Sequence, residues 1–298
     1  MNKCINVFLH IVFVAFIVCF QLNLFAQQEY FEGLARVQKN KKYGFIDTSN
    51  KLVILYKYDY AGNFSNDRAL VTIAGKTGFI DKTGKTVVSL KYEGGRTFSE
   101  GLAVVGINGK KGYIDTAGVE VISLQYDHAE SFSEGLAAVK LNGKFGFIDK
   151  NGEVVIPLKF RRAYDYKEGL ACVLSEYVGN YVEKYGFIDK TGTFIISPKY
   201  DDANSFSEGL AAVSCAGYNN YGYIDKQENL IIKCQYHTVM PFKNGLAKVV
   251  KYYGGFDAKY EELYIDKNGN EYPKKIWTEQ EIIDKIKKEL PKFIKDLE

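Results

Sequence analysis

One sequence motif recurs seven times between Phe31 and Gly269, and this repetition limits the fold more than any other feature. Its fourth copy contains the stretches FSEGLAAV at 132–139 and FGFIDKNGEVVI at 145–156. An opening aromatic residue and a turn aspartate mark the same period of about 34 residues. A fixed period of this length predicts a repeat protein, in which each unit packs against its neighbours. The markers are Phe31, Phe64, Phe98, Phe132, Tyr166, Phe206 and Phe242, and Asp47, Asp81, Asp115, Asp149, Asp189, Asp225 and Asp266.

Each copy contains three short apolar stretches separated by turn residues. In the fourth copy these are 135–139, 145–148 and 154–156, with the turn sequence DKNG at 149–152. Because 15% of the residues are aromatic, the pattern favours strands over helices. The sequence therefore predicts an all-β protein: an open, solenoid-like array of seven β-hairpin-type units over residues 27–272. The alternative is a closed, seven-bladed, propeller-like ring, although propeller blades usually have four strands.

The stretch YGFIDKTG at 185–192, followed by IISPKYDDA at 195–203 and FSEGLAAV at 206–213, resembles the bacterial WG (KWG) repeat family. The resemblance extends over about residues 28–272. It implies an all-β repeat protein, often exported, of a family whose members are usually regarded as interaction modules. The chain departs from the family at the tryptophan that names it, which is replaced by Tyr43, Thr77, Lys111, Phe145, Tyr185, Tyr221 and Glu262.

The two ends of the chain differ from the repeats. Residues 1–26 contain Lys3, an apolar run from Ile5 to Phe20 and a small residue, Ala26, at the exit, which predicts a cleaved signal peptide. We therefore expect a periplasmic, extracellular or envelope location, with no membrane span after cleavage; an uncleaved N-terminal anchor is the alternative. Residues 273–298 predict an amphipathic helix that caps the end of the array.

Charge and cysteine content exclude several classes of protein. The chain has 39 basic and 36 acidic residues, a balance that argues against a nucleic-acid partner. Removal of residues 1–26 leaves Cys172, Cys215 and Cys234, an odd number that cannot form a fully paired disulfide framework. The alternatives are a bridge between Cys172 and Cys215, or cysteines that act as small buried hydrophobic residues.

No motif in the chain points to a reaction, a metal or a cofactor. The recurring aspartate could line a ladder of Ca²⁺ sites, but calcium needs several oxygen ligands per loop, so turn capping is the better interpretation. The repeated Ser-Glu pairs, such as Ser133 and Glu134, are interpreted as turn residues. His128 and His237 occupy nearly equivalent positions of different copies and lack the spacing of a zinc site. We therefore predict a non-enzymatic protein without metal or cofactor.

The deviations from the repeat are insertions between the first and second strands of the last three copies. They comprise 174–184, 214–220 and 250–261, and insertions at one repeat position often mark a binding face. Their aromatic side chains suit a protein or an envelope polysaccharide; alternatively, they pack against neighbouring repeats. The protein is thus predicted to be an exported binding or scaffold module. The alternatives are a purely structural envelope protein and a hydrolase with its site in these loops. The candidate binding residues are Tyr177, Tyr181, Tyr218, Tyr252, Tyr253 and Phe256.

Overall fold

The computed structural model describes residues 29–175, 183–215, 219–254 and 259–273, and their regular structure is entirely β. The chain divides into two compact units, residues 1–126 and 127–298. The predicted signal peptide at 1–26 lies outside the described residues, as does nearly all of the predicted helix at 273–298. Within the described ranges, no helix is long and apolar enough to cross a membrane.

The first unit contains three antiparallel sheets, one for each of the first three copies. None of them closes on itself, as expected for separate stacked units. Their strands are β1 Leu34–Lys39, β2 Lys42–Asp47 and β3 Leu52–Tyr58; β4 Tyr60–Ala61, β5 Ala69–Ile73, β6 Lys76–Ile80 and β7 Thr86–Tyr92; β8 Gly94–Gly95, β9 Leu102–Ile107, β10 Lys110–Asp115 and β11 Glu120–Tyr126.

The second unit contains four antiparallel sheets, one for each of the last four copies. Neighbouring strands in each sheet follow one another in sequence, so each copy is a meander. The strands are β12 His128–Ala129, β13 Ala137–Leu141, β14 Lys144–Ile148 and β15 Val154–Phe160; β16 Arg162–Ala163, β17 Ala171–Leu174, β18 Tyr185–Ile188 and β19 Phe194–Tyr200; β20 Ala211–Ser214, β21 Tyr221–Ile224 and β22 Leu230–Tyr236; β23 Thr238–Val239, β24 Leu246–Tyr253, β25 Lys259–Asp266 and β26 Glu271–Pro273.

The prediction of three strands per copy was incomplete. Five of the seven described sheets have a fourth strand, and in the second to fifth and seventh copies a two-residue strand precedes the opening aromatic. In the fourth copy this strand pairs His128 with Lys140 and Ala129 with Val139. A blade of four strands thus fits within about 34 residues, so strand number does not separate the open array from the propeller-like alternative.

The glycine of the second strand lies beneath a β-bulge. In the fourth copy, Phe145 pairs with Phe160 and Phe147 pairs with Ile156. An advance of two residues on β14 therefore corresponds to an advance of four residues on β15. A Cβ atom on Gly146 would lie 2.5 Å from the carbonyl oxygen of Ile156, far inside contact distance. The seventh copy has Leu263 at this position, and β25 pairs with β26 without a register shift. The glycine therefore permits the bulge.

The hydrophobic core lies between successive sheets. Phe147 of the fourth copy meets Tyr166, the opening aromatic of the fifth copy, edge to face with ring centroids 4.9 Å apart. Leu136 and Val173 belong to the same cluster. Equivalent aromatic pairs in other copies have centroids 4.8–5.0 Å apart. Within each unit, successive copies therefore share an aromatic pair, which makes folding of one copy depend on the next.

The Ser-Glu pairs are turn residues, as predicted, and they also join successive copies. Ser133 Oγ donates to the carbonyl oxygen of Tyr166 at 2.7 Å. The Glu134 carboxylate accepts from the backbone N–H of Gly169 at 3.0 Å and lies 3.3 Å from Lys190 Nζ. The same contacts recur between the sixth and seventh copies. Each of these two turns thus supplies two hydrogen bonds and one ion pair to the following copy.

Candidate binding surface on the last sheet

The turn aspartates act as caps, as the sequence predicts. Asp149 Oδ1 accepts from the backbone N–H groups of Asn151 and Glu153, both at 2.9 Å, and the same two bonds occur in all seven turns. The hydroxyl of Thr191 donates to Asp189, and this hydrogen bond lowers the pKa of the Asp189 carboxyl. The described residues contain no cluster of three or more His, Cys, Asp or Glu side chains that could hold a metal ion.

The cysteine pairing differs from the alternatives considered above. Cys215 forms a disulfide with Cys234, and their Cα atoms are 6.1 Å apart, within the usual range. The pair occupies the positions of Ile107 and Leu124 in the third copy, two partly buried aliphatic residues that pack against one core cluster. Of the three cysteines in the described ranges, only Cys172 is a buried thiol as expected, and burial raises its pKa. A bridge between Cys172 and Cys215 was therefore the wrong alternative.

A cavity of about 350 Å³ lies between the sheets of the fifth and sixth copies. Glu228 stands at the turn position that is glycine in most copies, with φ +67°. Its carboxylate accepts from the Tyr200 hydroxyl at 3.1 Å and pairs with Lys199. Because these polar groups bond to one another, they leave few hydrogen-bonding groups in the cavity for a ligand.

The insertion in the seventh copy lengthens a hairpin. Its strands β24 and β25 have eight residues each, whereas their equivalents in the sixth copy have four. Tyr252 and Tyr253 therefore belong to a strand and not to a loop, contrary to their expected position. Of the other candidate residues, Tyr177, Tyr181, Tyr218 and Phe256 lie outside the described residues.

Three aromatic rings form a cluster near the end of this hairpin. Tyr252 and Tyr260 are cross-strand partners with centroids 5.0 Å apart. The ring of His237 lies 5.6 Å from the first and 5.2 Å from the second. Both tyrosines remain about half exposed, at 46% and 59%. No role was predicted for His237 from the sequence. His128 occupies a nearly equivalent position in the fourth copy and contacts the ring of Phe145, so the shared position could have indicated an aromatic contact for His237.

Paired polar groups lie on the other face of the same hairpin. The Tyr253 hydroxyl donates to Glu261 at 2.9 Å, which raises the pKa of Tyr253. Lys251 Nζ lies 2.6 Å from the Glu271 carboxylate, which also accepts from the Tyr236 hydroxyl at 3.0 Å. Burial, together with Glu271, raises the pKa of Tyr236 to about 12. Because side chains alternate along a strand, these pairs fix the hairpin from the face opposite to the rings of Tyr252 and Tyr260.

The model of a single repeat family, described as WG containing repeat, matches the chain seven times. The matched segments are 28–43, 43–76, 78–110, 112–145, 145–176, 185–218 and 221–253, which together cover more than half of the chain. The chain belongs to the WG repeat family. The resemblance noted in the sequence is therefore confirmed, as is the all-β architecture of seven repeats.

Solved structures similar to this WG repeat protein share little sequence with it. A eukaryotic initiation factor has 10% identity over 80% of this chain and 85% of its own, with a TM-score of 0.44. Hsv2 of Kluyveromyces lactis has 10% identity over 77% and 94%, with a TM-score of 0.45. The β-propeller domain of the Trilobed protease from Pyrococcus furiosus has 12% identity over 80% and 92%, with a TM-score of 0.43. Among curated proteins, none matches this chain.

The position of the family's tryptophan holds different residue types in different copies of this WG repeat protein. In the fifth copy Tyr185 fills it and is buried. In the seventh copy Glu262 fills it and lies 2.8 Å from Lys248 Nζ. The buried ring of the fifth copy is thus exchanged for an ion pair on the last sheet.

Proposed function

We propose that this WG repeat protein is an exported, non-enzymatic binding module that holds a protein or an envelope polysaccharide on the last sheet. The observation that carries the proposal is the cluster of Tyr252, Tyr260 and His237, whose tyrosine rings are half exposed on an extended hairpin. Tyrosine offers a large contact area at a small entropic cost, which is why it dominates many binding surfaces.

The rigidity of the hairpin supports a binding role. Eight consecutive residue pairs, from Leu246 with Asp266 to Tyr253 with Lys259, hold β24 and β25 in register. The three rings contact one another, so their orientations are set before a partner arrives. Preorganised side chains lose less entropy on binding, and more of the contact energy therefore appears as affinity.

The state of the cysteines supports a role without catalysis. A nucleophilic cysteine needs an accessible thiolate, whereas burial raises the pKa of Cys172 and the other two cysteines of the described chain form a disulfide. That disulfide also supports export, because disulfides persist mainly in oxidising compartments. The apolar run between Lys3 and Ala26 supports the same location.

The proposal is tested by retention of residues 27–298 on immobilised envelope polysaccharides and envelope proteins. The test variant carries Tyr252→Ala and Tyr260→Ala. The control is Tyr60→Ala, since Tyr60 is a similarly exposed tyrosine, at 49%, in a different copy. We expect retention by wild type and control but not by the test variant. Equal retention of all three proteins would refute the binding surface, and retention of none would favour a purely structural role.

A further inference from the structure

The outer face of the last sheet is exposed where the equivalent faces of other copies are covered. Leu246 is 41% exposed, whereas Leu210, its equivalent in the sixth copy, is 8% exposed. Tyr264 is 39% exposed, whereas Tyr223 is completely buried. The opposite face of the last sheet, which includes Val249 and Ile265, packs into the core with the sixth copy. A large surface that is internal elsewhere in the array is therefore open here.

The outer face of the last sheet carries charged residues at positions that are buried or aromatic in the sixth copy. Its centre carries Lys248, where the sixth copy has the buried Ala212. Lys248 pairs with Glu262 at 2.8 Å, across the two central strands. The last unit of a repeat array needs a polar outer face to remain soluble, and these two substitutions supply it. The sheet can therefore remain uncovered, and its exposed side chains are available to a ligand.

Four tyrosines lie on this polar face in two cross-strand pairs. Tyr252 pairs with Tyr260 at one end, and Tyr264 pairs with Tyr272 at the other. Tyr260 and Tyr264 point to the same side because they are four residues apart on one strand, roughly 13 Å along it. All four are at least 39% exposed. The two pairs follow one another along β25, with Glu262 between them and Lys248 opposite Tyr264 on β24.

We propose that this face binds a neutral polysaccharide, whose chain lies along β25 with sugar rings stacked on both tyrosine pairs. This inference rests on the proposed binding function and names its ligand class. The C–H face of a sugar suits an aromatic ring, while the tyrosine hydroxyls and the Lys248–Glu262 pair offer hydrogen bonds to sugar hydroxyls.

Charge and ring spacing favour this ligand over a cation or an anion. The charged groups of this face are already engaged: Lys248 pairs with Glu262, and Asp266 accepts a hydrogen bond from the Tyr272 hydroxyl at 3.2 Å. The rings of Tyr252, Tyr260 and His237 contact one another, so they leave no cage for a cation between them. A neutral ligand with several flat faces fits this arrangement, and it must be long enough to reach from one tyrosine pair to the other.

Calorimetric titration of residues 27–298 with neutral oligosaccharides of two and six sugars, from cellulose, xylan and chitin, tests the inference. We expect at least one series in which the six-sugar compound binds about tenfold more tightly than the two-sugar compound. Tyr264→Ala with Tyr272→Ala should remove this advantage and leave two-sugar binding unchanged. Tyr252→Ala with Tyr260→Ala should abolish both. Tyr60→Ala is the control, and thermal unfolding establishes that each variant is folded.

The other outcomes separate this inference from the proposed function. If no oligosaccharide binds but the Tyr252 and Tyr260 variant loses retention on an envelope protein, the ligand class is wrong and the binding function stands. If neither ligand type is retained, both proposals fail. A change in oligomeric state of the Tyr264 and Tyr272 variant would instead assign the face to a second copy of the chain. Trp277 is the only tryptophan of the sequence. A shift of its fluorescence emission between wild type and the Tyr264 and Tyr272 variant would instead assign this face to later residues of the same chain.

Discussion

The glycine beneath the β-bulge should be the least replaceable small residue of the first six repeats. In Gly146→Ala, the new Cβ would lie 2.5 Å from the Ile156 carbonyl oxygen and 2.8 Å from the backbone nitrogen of Leu158. Both neighbours are backbone atoms held in the ladder between β14 and β15, so neither can rotate away. The substitution must therefore separate the two strands or remove the bulge.

Overpacking of this kind costs about 1–3 kcal/mol, and backbone neighbours place Gly146→Ala near the upper end, at about 3 kcal/mol. Gly143→Ala is the matched control, three residues away in the hairpin loop. A Cβ there has no atom within 4 Å, but φ is +81°. The strain of that conformation costs about 1 kcal/mol. The bulge position should thus lose about 2 kcal/mol more than the loop position.

Urea unfolding of residues 27–298, followed by far-ultraviolet circular dichroism, measures the two free energies of unfolding. Native-state hydrogen exchange should then show the additional loss concentrated in β14 and β15. Equal destabilisation by the two substitutions would refute the steric argument. So would a loss at Gly146 that leaves the exchange of β14 and β15 unchanged.

Three further predictions concern the links between copies, acid stability and the cysteines. Glu134→Ala should lower the free energy of unfolding by about 1 kcal/mol, because the backbone N–H of Gly169 loses a partly exposed acceptor. Glu134→Gln keeps an acceptor oxygen and should retain most of this stability. Equal losses by the two variants in urea unfolding would contradict the role of this hydrogen bond. Because folding lowers the pKa of Asp189, the ionised carboxylate stabilises the folded state above about pH 4, and this stabilisation is lost as the pH falls further. The thermal midpoint should therefore fall less between pH 7 and pH 3 in Thr191→Ala, which lacks the hydrogen bond to Asp189, than in wild type. An identical fall in the two proteins would contradict this. Alkylation followed by mass spectrometry should label no cysteine in the native mature chain, only Cys172 after denaturation, and all three after reduction; labelling of three without reductant would contradict the disulfide.

The period and the turn chemistry could be predicted because they depend on local residue types that recur. The capping of turns by Asp149 and its equivalents needs only a carboxylate two and four residues before the bonded N–H groups. The two-residue strand at His128 and Ala129 could not be predicted in this way. It has no apolar run of its own and is defined only by pairing with β13.

The binding surface was predicted only in part, since its residues meet through pairing across the sheet. Tyr252 was expected in a loop, but pairing of β24 with β25 extends the hairpin and brings Tyr260 opposite it. The ring of His237 joins them from the segment before β23. Likewise, Cys215 and Cys234 meet only because a register-shifted strand pair places the first and third strands of the sixth copy close together. Such contacts depend on register, which the repeat pattern does not specify.

The most direct test of the tyrosine surface is amide hydrogen exchange of residues 27–298 with and without the polymer or protein that retains it. The proposal predicts slower exchange in peptides from 246–273 on binding, with no change in the equivalent peptides of the fourth copy. Protection that lies instead in other copies, or that persists in the Tyr252→Ala and Tyr260→Ala variant, would contradict the assignment of the last sheet as the binding surface.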